Sequence, residues 1–335
     1  MNYIGMDIHK KNTYAVVKDE LGNKLAEDEM ASSKEALARF LAPFQPSESS
    51  IVIESTYITE YIYTLLEEMH YAITVANPHK LKAIAFAKVK NDKVDASMLA
   101  DLLRANLIGK SYMPSLAIRQ LREITRMRSM LVRHGTQIIN ALRAHLVRKG
   151  IKLPNRKLCK NAIVFLQKQC KGDIVVQNSL AVLQTVQRQL AKVDTQLHAH
   201  AKKSKDAKLL MTIPGIGPIR AMTLLAEIGD INRFPKAEPL CSHAGLVPTI
   251  RQSANTMHVG HCSAQANKQL KNVFVQAALT AKRMKRGNAI QTHYCNLVEK
   301  KGKQKAICAA ARKMCCIVYA VLHKKEKFSF SYSSP

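Results

Sequence analysis

The 335 residues are too many for one small core and suit two or three domains. Lys and Arg number 52 against 24 Asp and Glu, a formal net charge of +28, which repels itself unless a polyanion screens it. Nucleic acid is therefore the first partner to expect, and a secreted disulfide scaffold is excluded because the eight cysteines are scattered, with no C-x-x-C pair.

Segment 1–112 alternates short strands and helices. Tyr3 to Ile8 and Thr13 to Lys18 read as strands, the second running toward a Leu21-Gly22-Asn23 turn. Ser50 to Ile53 is a third apolar, β-branched run, followed by a helical stretch through Tyr61, Leu65 and Met69. Ala72 to Ala76 is another strand closed by Asn77-Pro78, and Asp92 to Leu107 reads as a helix. Strands interleaved with helices in this order predict an α/β domain around a mixed sheet.

Segment 113–205 reads as wholly helical. Leu121, Ile124, Leu131, Ile138, Leu142 and Leu146 share one face, and Gly150 marks the stop. Leu183, Val186, Leu190, Val193 and Leu197 follow at coiled-coil spacing. Between residues 113 and 172 stand 14 Lys or Arg and one acid, Glu123. This is a basic coiled-coil arm, with Arg119, Arg122, Arg126 and Arg133 as candidate nucleic-acid contacts; a solvated helical hairpin is the alternative.

Segment 206–325 is a third, mostly α-helical unit with a loop from Gly245 to Ser263, and 326–335 is a tail. No apolar run approaches the roughly 20 residues that span a bilayer, and the N-terminus lacks a signal peptide's apolar region. A cytoplasmic, nucleoid-associated protein without membrane contact is expected. His258, His261 and Cys262 form a close cluster of zinc-type ligands, although the cysteines otherwise read as small core residues.

The acidic residues narrow the chemistry. Asp7 ends the first apolar strand and Glu54 follows Ile51-Val52-Ile53 directly. An acid closing an apolar strand is costly unless it is paired or binds metal, so a salt bridge to the basic surface remains open for each. Asp92 and Asp95, three apart, share a face at the start of a helix; Asp92 as a simple N-cap is the alternative. Together the four suit a two-metal phosphoryl-transfer site, for which Mg²⁺ is the usual ion.

In the third segment, Pro214-Gly215-Ile216-Gly217-Pro218 leads into an apolar helix. Such a helix-hairpin-helix-like turn, with Gly215 and Gly217, can offer backbone N–H groups to a phosphate; a tight turn between core helices is the other reading. Cys241 to Pro248 precedes Arg251-Gln252-Ser253-Ala254, where Ser253 is either a nucleophile beside basic Arg251 or a solvated loop serine. Lys282-Arg283-Met284-Lys285-Arg286 closes the next helix with a cluster suited to phosphates, Lys282 and Arg283 foremost.

Gly5-Met6-Asp7-Ile8-His9-Lys10-Lys11, Ile53-Glu54-Ser55-Thr56 and Lys90-Asn91-Asp92-Lys93-Val94-Asp95-Ala96 resemble the DEDD signature of the insertion sequence 110 transposase family. The Gly215 turn, Ala244-Gly245-Leu246-Val247-Pro248 and Gln252-Ser253 resemble, in order, that family's second conserved domain, so the resemblance spans residues 3 to 285. It implies a RuvC-like, ribonuclease-H-type N-terminal fold whose metal-binding carboxylates are Asp7, Glu54, Asp92 and Asp95. It further implies Ser253 as the nucleophile that links to DNA, donor and target double-stranded DNA as substrates, a non-coding bridge RNA as guide, and a homodimer or tetramer. The chain departs from the family pattern at Tyr57, Ala254, Ala264, Ala266 and Lys271, and keeps Asn267 and Leu270. Rival readings are a site-specific DNA invertase of the same family, a structure-selective nuclease such as a Holliday-junction resolvase, and a decayed transposase that only binds nucleic acid.

Overall fold

Contacts within the computed structural model divide the chain into Met1–Met113 and Pro114–Pro335, and the structure describes residues 1–84, 91–152, 160–253, 256–262, 266–285 and 287–329.

The first unit contains β1 (Asn2–Ile8), β2 (Asn12–Lys18), β3 (Lys24–Ala31), α1 (Lys34–Leu41), β4 (Ser49–Glu54), α2 (Thr59–Glu68), β5 (Ala72–Ala76), α3 (Pro78–Ile84), α4 (Asp92–Arg104) and β6 (Lys110–Ser111). Its six strands form one mixed sheet in the order β3-β2-β1-β4-β5-β6, with β1 parallel to β4 and antiparallel to β2. Period-two alternation decides what each face carries. Ile4, Met6 and Ile8 pack with Ile51 and Ile53 against Leu37, Leu41, Ile62 and Leu66 of α1 and α2. The intervening Val52 turns to the opposite face and clusters with Leu99 and Leu102 of α4. Gly5 is needed there, because a Cβ on it would sit 2.1 Å from the Ala96 carbonyl oxygen and 2.6 Å from the Ala100 nitrogen. The same alternation sends Asp7 to the α4 side. The expected α/β domain around a mixed sheet is observed; its last helix ends at Arg104, three residues earlier than Leu107, where Asn106 takes φ 54°.

The second unit contains α5 (Leu116–Arg148), α6 (Lys160–Gln169), α7 (Ile174–Lys203), α8 (Lys205–Leu210), α9 (Pro218–Ile228), α10 (Ala237–His243), β7 (Pro248–Ser253), β8 (Thr256–Cys262), α11 (Lys268–Lys282) and α12 (Ala289–Lys324). Helices α5 and α7, of 33 and 30 residues, pack along each other, and α5 stops just before Gly150 at φ 68°. Leu142 and Leu146 of α5, Leu166 of α6 and Val176 and Leu180 of α7 form a small core of their own. A larger core joins Leu197 of α7 to Leu210, Leu224, Leu240, Phe274 and Val318. The expected arm and the expected C-terminal segment both lie in this unit.

Two expectations change. The Gly245-to-Ser263 loop is, from Pro248 to Cys262, a two-stranded antiparallel hairpin; Thr249, Ile250, Thr256 and Val259 are β-branched and favour the extended backbone. Helix α12, kinked at Gly302, has an 18-residue window of mean hydropathy 1.5 and is long and apolar enough to cross a membrane, where the sequence reading found no such run. Half of that window is buried, with Ala306, Ala310, Met314, Ile317 and Val321 in the core. The apolar content serves an interior face.

Candidate functional site

Parallel register between β1 and β4 pairs Met6 with Ile53, so the acids that follow, Asp7 and Glu54, stand at adjacent strand ends. Asp7 is 6% exposed and Glu54 is half-buried. The first turn of α4 carries Asp92 and Asp95. The helix is capped by Asn91, whose side chain accepts from the Val94 N–H at 2.7 Å, so Asp92 is not the N-cap, while both acids still lie in the first turn where the helix dipole favours negative charge. Three contacts fix this helix. Gly5 admits it against β1, Lys18 Nζ of β2 donates to Asp101 at 2.5 Å, and Lys93 Nζ donates to Glu27 of β3 at 2.7 Å.

The result is a converging polar group. His9 Nε2 lies 3.3 Å from Asp7 Oδ2 and 3.6 Å from Asp92 Oδ2. One ligand atom from each of Asp7, His9 and Asp92 falls within 4.8 Å of the others, the arrangement among the described residues that suits a metal ion. Burial raises the Asp7 pKa above the usual carboxylate value, and the charges of Asp92 and Asp95 raise it further, against the opposing effect of His9. A divalent cation would relieve that accumulation of like charge. The oxygens suit a hard ion, and His9 adds a nitrogen that transition metals accept readily. The sequence reading passed over His9; its offset of two from Asp7 on extended chain was the available signal.

Ser253 is the last residue of β7, paired with Thr256 across the hairpin. Its side chain lies outside the described residues, as do those of Arg251 and of the zinc-type cluster His258, His261 and Cys262. Gly215 takes φ 89°, and a Cβ there would meet the Ala277 carbonyl oxygen at 2.4 Å, so this glycine packs the turn onto α11. Gly217 has open space beside it and precedes the first turn of α9. Arg283 is exposed, while the Lys282 ammonium lies 3.8 Å over the Tyr294 ring.

The arm arginines differ in burial and in partners. Arg126 and Arg133 are exposed and Arg122 is half-buried, but Arg119 is 3% exposed. Arg126 donates through Nε and Nη2 to Glu227 at 2.8 and 2.9 Å. Arg122 Nε donates to the Ala226 carbonyl at 3.1 Å and lies 3.7 Å from Glu227. These guanidiniums hold the interior of the unit together, with the outer part of Arg126 still reaching solvent. Glu227 itself was not singled out from sequence. Burial pushes its pKa up, but bonds from Arg126 and Asn267 and the nearby arginine charges hold it below the ordinary value. Beside it His243 is pushed down to about 4 by burial and by Arg233 and Arg122.

Comparison with known proteins gives two family matches. A family model described as Transposase, of the DEDD IS110 type, matches residues 4–150, and one described as Transposase IS116/IS110/IS902 family matches residues 207–295. The transposase for insertion sequence element IS1111A of Coxiella burnetii is 23% identical over 291 residues, 83% of this chain and 79% of that protein. The transposase for insertion sequence element IS1328 of Yersinia enterocolitica is 22% identical over 279 residues, 82% of each chain. The pilin gene-inverting protein of Moraxella bovis is 36% identical over 125 residues, 36% of this chain and 38% of that protein.

Proposed function

Since the chain belongs to the IS116/IS110/IS902 transposase family, we propose that it is a DNA recombinase that cuts and rejoins strands during movement of an insertion sequence. The observation that carries this reading is the buried Asp7 carboxylate, closed in by His9 and Asp92 and destabilised by like charge. Asp7, Glu54, Asp92 and Asp95, on a ribonuclease-H-like or RuvC-like sheet, would hold Mg²⁺, with His9 at the rim. Bound there, the metal would polarise a phosphodiester and stabilise the charge that develops on it. The residues themselves supply a fixed, negatively charged seat at the ends of β1 and β4 and the start of α4.

Ser253 is the proposed nucleophile. Its oxygen forms a bond to phosphorus as the bond from phosphorus to a sugar oxygen breaks, and the serine proton ends on the departing sugar hydroxyl. A second strand's hydroxyl reverses the step and rejoins the DNA. The basic segment 113–205 and the exposed Arg133 and Arg283 are proposed to hold donor and target duplexes and a non-coding bridge RNA, within a homodimer or tetramer. The +28 charge supports a polyanionic partner of this kind.

Incubation with DNA spanning the ends of the element should yield a covalent protein–DNA adduct that disappears in Ser253→Ala, and Asp92→Ala should abolish strand exchange. Exchange that survives Asp92→Ala would remove the carboxylates from the mechanism, and a metal-dependent cut without an adduct would favour a nuclease. Likeness to the Moraxella bovis gene-inverting protein supports inversion as a second reading. A plasmid carrying sites in inverted orientation distinguishes it from integration elsewhere.

A further inference from the structure

We infer that Glu227 is a positioning residue for Ser253, acting through Asn267 to clamp the neck of the β7–β8 hairpin; this rests on the reading of Ser253 as nucleophile. Strands β7 and β8 lie in sequence between His243 and Asn267. These two residues meet where the Asn267 N–H donates to the His243 carbonyl at 2.8 Å. The Asn267 side chain works in two directions. Its Oδ1 accepts from Gln269 N and Leu270 N at 3.0 and 3.1 Å, capping α11. Its Nδ2 donates to Glu227 Oε2 at 2.8 Å.

Glu227 projects from α9 with a side chain at 0% exposure, and Arg126 of α5 grips it through two bonds. Three helices and the hairpin neck therefore converge on one carboxylate. A buried charge of this kind is a poor way to gain stability, because an apolar residue of similar volume packs at less cost. What the charge adds is direction: the carboxylate accepts only from donors correctly placed, so it fixes where the hairpin leaves the core. A nucleophile misplaced by about 1 Å loses on the order of a hundredfold in rate, which makes the neck a point of control over Ser253.

The test separates the clamp from the helix cap. In the full chain, Asn267→Asp keeps the capping oxygen but sets a second carboxylate against Glu227. Combining it with Glu227→Gln restores a bond, because the Gln amide donates to the new acid. Hydrogen exchange of peptides from β7 and β8 should quicken about tenfold in Asn267→Asp and return toward wild type in the double variant, while α12 peptides stay unchanged. At saturating DNA, adduct formation should slow about a hundredfold in Asn267→Asp with DNA affinity unaltered, and recover in the double variant. A double variant no better than Asn267→Asp, or hairpin exchange indifferent to both changes, overturns the proposal. If wild type forms no adduct, the serine reading falls, and the exchange experiment still decides the clamp.

Discussion

Asp7 and Glu227 are both buried acids, 6% and 1% exposed, yet their surroundings differ in sign. Around Asp7 the first unit gathers Asp92 and Asp95, and burial and those charges raise its pKa. Around Glu227 the second unit gathers Arg126, Arg122 and Asn267, and the pKa falls despite burial. Depth alone therefore does not set the direction in which a buried carboxylate is shifted. What separates the two is whether the fold supplies the counter-charge or leaves it to a ligand. The first unit carries an acid at the end of a central strand that His9 offsets only in part, a cost that a metal site would relieve. The second has closed its own account with a guanidinium and an amide.

Replacing Asp7 and Glu227 in turn is the strongest way to break this contrast. Asp7→Asn should lower strand cutting by about a thousandfold, or roughly 4 kcal/mol of barrier, in a plasmid recombination assay. The same variant should melt at a higher temperature than wild type, since it removes a repelled charge. A drop in melting temperature would mean that the His9 contact outweighs the burial and like charge at Asp7. Glu227→Gln should instead lower stability, by about 1–3 kcal/mol in urea unfolding, because it removes the acceptor of a hydrogen-bonded pair whose arginine is half exposed.

The pH dependence carries the same opposition. The depressed Glu227 pKa contributes stability that is present above its ordinary value of 4.5 and lost as pH falls through the folded value. The raised Asp7 pKa contributes stability that is present below 3.8 and lost as pH rises through the folded value. The stability deficit of Glu227→Gln should accordingly shrink on acidification below about 4.5, and the advantage of Asp7→Asn should shrink as pH falls through the raised folded value of Asp7 toward 3.8. Chemical denaturation at several pH values would show both trends; a Glu227→Gln deficit that stays constant to low pH would sever the ion pair from the stability it is assigned.

The difference also shows which features a sequence can declare. Asp7 and Glu54 were legible because each ends an apolar β-branched or aliphatic run, a local pattern. The contacts of Arg122 and Arg126 with Glu227 were not legible because that acid is about a hundred residues away, so a run of basic residues shows no internal partner until α9 is in place. Strand β3 was missed for another reason: it is an edge strand of sequence KLAEDEMA in which Met30 alone is buried, so it lacks the apolar alternation of β1. The hairpin carrying Ser253 was read as a loop because its glycines and prolines, local signals, outweighed its β-branched residues.

Gly5 sharpens the first half of the contrast, because it sets how closely the like charges are brought together. Gly5→Ala puts a methyl against the backbone of α4, where no flexible side chain can yield, and should cost about 1–3 kcal/mol. The more telling readout is Mn²⁺ binding followed by electron paramagnetic resonance, which should weaken as Asp92 and Asp95 retreat from Asp7. Unaltered binding would mean that the carboxylates do not depend on that close approach.

The smallest effects concern arginines that differ in the same way as the two acids. Arg133, Arg283 and Arg126 are all exposed, but Arg126 also gives two hydrogen bonds to Glu227. Neutralising an exposed phosphate contact should weaken DNA binding modestly and lower the slope of log affinity against log salt by about one. Arg133→Gln and Arg283→Gln should each do so with melting temperature unchanged, measured by filter binding between low and moderate salt. Arg126→Gln should leave the slope almost untouched and lower the melting temperature, because the charge it removes neutralises an acid inside the protein. If instead Arg126→Gln changed the salt slope as much as Arg133→Gln, its exposed edge would be contacting phosphate while it holds Glu227. The arm would then bind nucleic acid through the same residue that anchors the serine hairpin, and the two halves of the second unit would answer to one ligand.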